Sequence, residues 1–277
     1  MAKQKFPAEL ARKEVIAFLI LAFGLSSIFY YLIANATTHS DLLLFTMLLM
    51  WCPATAAIIT RWHYQKNLKG FGLGWGETKW QLAGIFLPIL LGLVMFGYVW
   101  LTMGSFNAEN AANMLSLSFL PAFLSALVFN LFAAFGEELG WRGLLVPEMS
   151  KFMSFTKLGL LSAAIWTVWH FPLILFGTYH GTGPLWFSLL VFTPQVIAMG
   201  FFLAWLRLKS GSVWVAVFFH GVWNYFIQQI YPALTVQTEA TEVITGEFGW
   251  FSPLMGIAIA LICWHYRYLL PKTVKKD

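Results

Sequence analysis

The chain has 277 residues, of which 59% are hydrophobic and only 10% charged, with a formal net charge of +5. Soluble domains carry about 25% charged residues, so this composition, with a mean hydropathy of +0.71, excludes a water-soluble globular core. It specifies an all-α polytopic membrane protein whose obligatory partner is a lipid bilayer, with one integral-membrane domain over 1–277.

Eight apolar runs are long enough to cross a hydrocarbon layer, which takes about 20 residues of helix. They cover 15–34, 42–62, 80–103, 119–146, 158–177, 185–206, 213–231 and 251–270. All 17 Lys and Arg residues fall in 1–14, 61–79, 142–157, 207–212 and 267–277; the alternating segments 35–41, 104–118, 178–184 and 232–250 contain none. By the positive-inside rule the basic segments face the cytoplasm. An even number of spans follows, with both termini cytoplasmic, in a membrane expected to be a bacterial inner membrane. This partition accounts for the positive charge with no nucleic-acid partner.

Several local signals take bland readings. The first run is too long for a signal-peptide core, although Ala34-Asn-Ala36 looks like a cleavage site. Asn35-Ala-Thr37 matches a glycosylation sequon, but seven residues between spans make a cramped acceptor. Cys52 and Cys263 lie in separate apolar runs, so neither a disulfide framework nor a thiolate zinc site is indicated. The segment 69–76 has glycines at alternate positions and reads as a flexible connector. Pro147 disfavours helix at the residue before it, so the fourth span should end near Val146.

The fourth span carries Gly136-Glu137-Glu138-Leu-Gly-Trp141-Arg142. A charge at a helix centre costs about 2.5–3.5 kcal/mol on insertion scales, so three together in so apolar a chain point to a functional site. No other charge is expected deep in spans one, two, three, six or eight. Glu138 and Arg142 are four apart and suit an ion pair. Glu137 lies about 100° round the helix and is left without that counter-ion, the position of a general base. His170 in span five and the pair His220 and Asn224, on one face of span seven, are the other intramembrane polar residues. Counted at about 1.5 Å per residue, Glu137 lies about 14 Å above the end of its span. His220, Asn224 and His170 lie about 12, 18 and 20 Å above theirs. These levels permit one shared site in an intramembrane polar cavity open to the cytoplasm. Trp141, Trp166, Trp169 and Trp223 flank it and are candidates for lining a substrate groove, although packing explains them as well.

Taken together, Glu137-Glu138-x-x-x-Arg142, Trp166-x-x-x-His170 and His220-x-x-x-Asn224 resemble the three motifs of the CPBP (CAAX protease and bacteriocin-processing, or Abi) family. That family includes the type II CAAX prenyl endopeptidases. The resemblance covers about 120–230; its second motif often begins with Phe, where this chain has Trp166. It implies an eight-span intramembrane endopeptidase acting on a membrane-associated peptide or protein. Glu137 and His170 would activate water, His220 and Asn224 would hold the oxyanion, and Glu138 and Arg142 would brace the site. No metal or other cofactor is expected, since no His-Glu-x-x-His is present. The alternative is Zn²⁺ on Glu137, His170 and His220. A second class of function is a non-catalytic peptide-binding or bacteriocin-immunity protein with the same fold.

Overall fold

The computed structural model describes residues 5–177 and 179–271, with side chains from Ala8 onward. Lys3, Lys272, Lys275 and Lys276, on which part of the terminal charge count rests, lie outside the described residues. Among the described residues, six helices are long and apolar enough to span a membrane. They are α1 (Lys5–Ala34), α2 (His39–Gln65), α3 (Thr78–Met103), α4 (from Leu120–Glu138), α5 (Phe155–Phe176) and α6 (Leu185–Ser210). The other two expected spans are segmented. The helix α7 (Trp214–Tyr225) continues through a π-helical stretch, Phe226–Ile230, and a last turn, Tyr231–Ala233. The helix α8 (Phe251–His265) ends in a 3₁₀ turn, Tyr266–Leu269. The described residues form no β-strand; an isolated bridge joins Phe106 and Thr235. The molecule is an all-α polytopic membrane protein.

The fourth span does not stop at Val146. After Glu138 the chain widens into a π-helical stretch, Leu139–Leu145, and then resumes as Val146–Ser150. Pro147 falls in the first turn of that last segment. A missing N–H costs little there and the fixed φ suits a helix start. Pro147 thus opens a segment instead of closing the span.

Two glycines bring α2 against the middle of α4. A Cβ on Gly136 would fall 2.7 Å from the Met50 carbonyl oxygen, and one on Gly140 would fall 2.5 Å from Pro53 Cβ. Spaced four apart on one face, they give the small-x-x-x-small contact by which membrane helices approach closely. The two glutamates lie between them, so the contact that fixes α2 also fixes the carboxylates.

At the basic end the packing is dense. The 69–76 segment is pinned, contrary to its reading as flexible. Val213 N donates to the Gly72 carbonyl at 2.8 Å, Trp214 Nε1 to Leu73 at 2.8 Å and Ser212 Oγ to Gly74 at 2.6 Å. Gly72 adopts a φ of +76°, and a Cβ there would lie 2.4 Å from Arg207 Nη2. Alternate glycines here serve left-handed backbone and close approach, two uses a sequence alone does not separate from looseness. Three charges of the basic segments are buried: Glu14 on α1, Arg61 on α2 and Arg207 on α6. They lie near the basic ends but inside the bundle. Arg61 Nη2 reaches Glu148 Oε1 at 2.9 Å, and Lys151 Nζ reaches Glu148 Oε2 at 2.6 Å. Glu14 Oε2 lies 3.7 Å from Arg61 Nη1, and Arg207 donates to the Arg142 and Gly70 carbonyls. Each of these groups therefore has a partner, the condition for keeping it buried.

Candidate active site

The π-helical stretch begins directly after Glu138. Such departures from α geometry recur at functional sites because they re-aim the side chains around them. Glu137, Glu138, Arg142, His170 and His220 are all buried, none more than 8% exposed. Glu138 Oε1 takes two partners, Arg142 Nη1 at 2.8 Å and His220 Nδ1 at 2.9 Å. Glu137 faces the other way, and its Oε2 accepts a hydrogen bond from Trp166 Nε1 at 2.8 Å. The two adjacent carboxylates therefore have separate surroundings, one bound by Arg142 and His220 and one by the indole of Trp166.

Trp166 joins the parts of the site. Its indole N–H holds Glu137, and the Arg142 guanidinium lies 4.1 Å over its ring centroid. Its backbone carbonyl is 2.8 Å from His170 Nδ1, one helical turn on. Its ring meets His170 and His220 edge-on at centroid distances of 5.3 and 5.4 Å. A carbonyl oxygen can only accept, so Nδ1 of His170 carries the proton and Nε2 of the neutral ring keeps its lone pair. The motif spacing alone marked Trp166 as a groove residue; the structure also makes it a brace. Trp166→Phe keeps a ring over Arg142 but removes the donor to Glu137. Leaving a buried acceptor unmet costs about 1–3 kcal/mol, so thermal unfolding in detergent should shift downward, and an unchanged midpoint would show that the bond contributes nothing.

A cavity of about 280 Å³ opens beside these groups, and Glu137, Trp166, His170, His220 and Asn224 all line it. Asn224 lies one turn beyond His220 on α7, its amide oxygen 3.4 Å from Gln228 Nε2. Trp169 and Trp223 also face the cavity. Trp141 does not: it packs on Phe18 and Trp169 at centroid distances of 5.4 and 5.9 Å, so it is a core residue and not a groove wall.

The far wall holds groups that sequence reasoning missed. Glu247, from the connector before α8, lines the cavity opposite Glu137. It accepts from Trp223 Nε1 at 2.8 Å, from Gln228 Nε2 at 3.0 Å and from the Tyr179 hydroxyl. Burial first, and the Glu247 carboxylate beside it second, push the Tyr179 hydroxyl well above its ordinary range, so it stays protonated and donates. The only available signal was a carboxylate in a connector devoid of Lys and Arg.

The cavity also faces the other way from the depth count. Its wall includes Ile33 and Leu42, flanking the 35–38 connector, Tyr179 from the 177–184 connector, and Glu247. These belong to the end of the bundle whose connectors carry no Lys or Arg. The count assumed upright helices ending at the membrane surface, whereas the fourth span runs on to Ser150 and the connectors at the end without Lys or Arg fold over the bundle.

Among the described residues, no three His, Cys, Asp or Glu side chains converge into a group that could hold a metal ion. Glu137, His170 and His220 share the cavity without forming such a set.

These features define a class: an all-helical membrane protein with paired carboxylates and two histidines around one buried cavity. Residues 119–226 match the Rce1-like family, described as type II CAAX prenyl endopeptidase Rce1-like. The chain is also 32% identical over 130 residues to CAAX prenyl protease 2 of Methanococcus maripaludis. That match covers 45% of this chain and 47% of the relative, so it spans about half the length of each. Residues 119–226, which carry Glu137, His170, His220 and Asn224, are thus similar to the Rce1-like family.

Proposed function

We propose that this protein is an intramembrane endopeptidase that hydrolyses a peptide bond in a membrane-associated peptide or protein, with water activated by Glu137 and His170. The observation that carries this reading is the division of labour between the two carboxylates. Glu138 is consumed by Arg142 and His220, while Glu137 faces a cavity with only a neutral donor on it. Water attacks the carbonyl carbon and gives its proton to the Glu137–His170 pair. The tetrahedral oxygen is held by N–H groups of Asn224 and His220, the C–N bond breaks, and the proton passes to the leaving amine. With Nδ1 donating to Glu138, His220 offers its Nε2–H to the oxyanion as the imidazolium, the form in which both ring nitrogens donate.

In this reading no metal takes part, all of 1–277 forms one domain around a core of about 120–230, and the basic ends face the cytoplasm of a plasma membrane. The name of the relative and the family match support proteolysis in general. Two measurements test the mechanism. Asn224→Ala should slow turnover with little change in substrate binding, because its donor matters chiefly when the oxyanion forms. Activity should persist through exhaustive chelation, with no stoichiometric zinc in the purified protein. Zinc at one per chain, lost and regained together with activity, would reassign Glu137, His170 and His220 as ligands. The substrate itself is sought by comparing membrane and secreted peptides from cells with the active protein and with Glu137→Gln. Identical peptide sets would favour a binding or immunity role.

A further inference from the structure

We propose that a groove on the outside of the bundle, between α1, α5 and α8, is a binding site for an anionic phospholipid. It shares no residue with the cavity beside Glu137, so it stands whether or not the protease reading holds.

The groove has a volume of about 900 Å³, and its two long walls repeat one order of residues. On α1, Arg12 is followed by Ile16 and Leu19; on α5, Lys157 is followed by Leu161 and Ile165. Spacings of three and four put each set on a single helix face. Both helices therefore offer a cation at the basic end and then apolar side chains leading into the bilayer, with Ile16 and Leu161 exposed. From Lys157 to Ile165 is about 12 Å at 1.5 Å per residue. That is most of one leaflet of a hydrocarbon core about 30 Å thick. A phospholipid has the same layout, a charged head above aliphatic chains.

The third wall adds another cation. Arg267 lines the groove, its guanidinium 4.3 Å over the Trp264 ring centroid. Trp264 Nε1 donates to Thr156 Oγ1 at 3.2 Å and so ties the end of α8 to the start of α5. The Arg12 guanidinium lies 5.3 Å from the Phe152 ring centroid.

The charges of the groove are all of one sign. No Asp or Glu lines it. Elsewhere at the basic end Lys13, Arg61, Lys79, Arg142 and Lys151 each meet a carboxylate. Arg12 and Lys157 take part in no ion pair among the described residues. Basic pockets between transmembrane helices hold anionic lipid head groups, and a guanidinium matches a phosphate with two parallel hydrogen bonds. A zwitterionic lipid brings the same chains, but its own ammonium offsets the phosphate. A soluble phosphate brings the charge and leaves the apolar walls uncovered.

The test uses the full chain in detergent and counts retained lipid by native mass spectrometry. With phosphatidylglycerol and phosphatidylcholine of equal chain length at equal concentration, wild type should retain phosphatidylglycerol in preference. Each Lys or Arg near a membrane surface contributes about fivefold to holding an anionic lipid. The triple variant Arg12→Gln, Lys157→Gln, Arg267→Gln should therefore lower the preference by about a hundredfold. Lys66→Gln, Lys69→Gln, Lys79→Gln removes the same charge from exposed positions outside the groove and should keep it. Lys157→Gln alone, at an exposed position, should cost about fivefold and serves where the groove triple does not fold. Equal retention of the two lipids by wild type would overturn the proposal, as would a preference that falls equally in both triple variants or in neither. Displacement of the lipid by glycerol phosphate would assign the groove to a free phosphate instead. A two-chain mass lost only in the groove variants would give it to a second copy of the chain. Either result overturns the lipid site.

Discussion

Glu137→Gln is expected to leave the protein folded and to lower peptide hydrolysis by about 10²-fold or more, the lower range for loss of a positioned general base. The substitution preserves the structural part of the residue. Trp166 Nε1 donates to Oε2 at 2.8 Å, and a glutamine oxygen can accept the same bond. Only the capacity to take a proton near neutrality is lost. His170→Ala should be similarly damaging, because the hydrogen bond of its Nδ1 to the Trp166 carbonyl fixes which nitrogen faces the reaction. Equal rates for wild type and Glu137→Gln at equal folded concentration would remove Glu137 from the chemistry.

The other large effect falls on the brace. In Arg142→Ala the Glu138 carboxylate loses a 2.8 Å partner in a site where Arg142 is 2% exposed. Breaking one half of a buried pair costs about 3–5 kcal/mol. The guanidinium stacked 4.1 Å over Trp166 goes with it, which is worth up to about 2 kcal/mol where desolvated. The variant should give far less folded protein in detergent and no measurable hydrolysis. Arg142→Lys restores the charge but neither the fork nor the flat face, so it should recover part of the folded yield and little of the activity. Full yield and full activity of Arg142→Ala would show that His220 alone suffices to hold Glu138.

What could be read in the sequence depended on periodicity and on charges out of place. The Glu138–Arg142 pair followed from a four-residue spacing, and the structure forms it. His220 and Asn224 followed from the same spacing, and both face the cavity. The π-helical stretch that starts after Glu138 was not legible, because Leu-Gly-Trp-Arg-Gly-Leu-Leu has no composition that separates π from α. Glu247 and Tyr179 were missed for a different reason. They come from connectors that fold back over the bundle, and such contacts leave no local pattern. The glycine-rich 69–76 segment was read as loose because glycine permits both disorder and tight packing. The Arg207, Ser212 and Trp214 side chains and the Val213 backbone N–H that clamp it lie about 140 residues away in the chain.

The closed layer beneath the cavity also has an electrical consequence. Water in a recess open to one face carries that face's potential down to Glu137. The transmembrane voltage then falls mainly across the packed layer containing Trp141, Arg142 and Arg207. Moving one elementary charge through the whole voltage is worth about 2.3 kcal/mol per 100 mV. In the proposed reaction, protons exchanged between Glu137 and the recess would cross almost none of it, so bond cleavage would neither draw on the membrane's stored energy nor leak it. The Arg142 guanidinium, held still between Glu138 and Trp166, belongs to that packed layer, and its anchoring would keep the layer insulating during the proposed reaction.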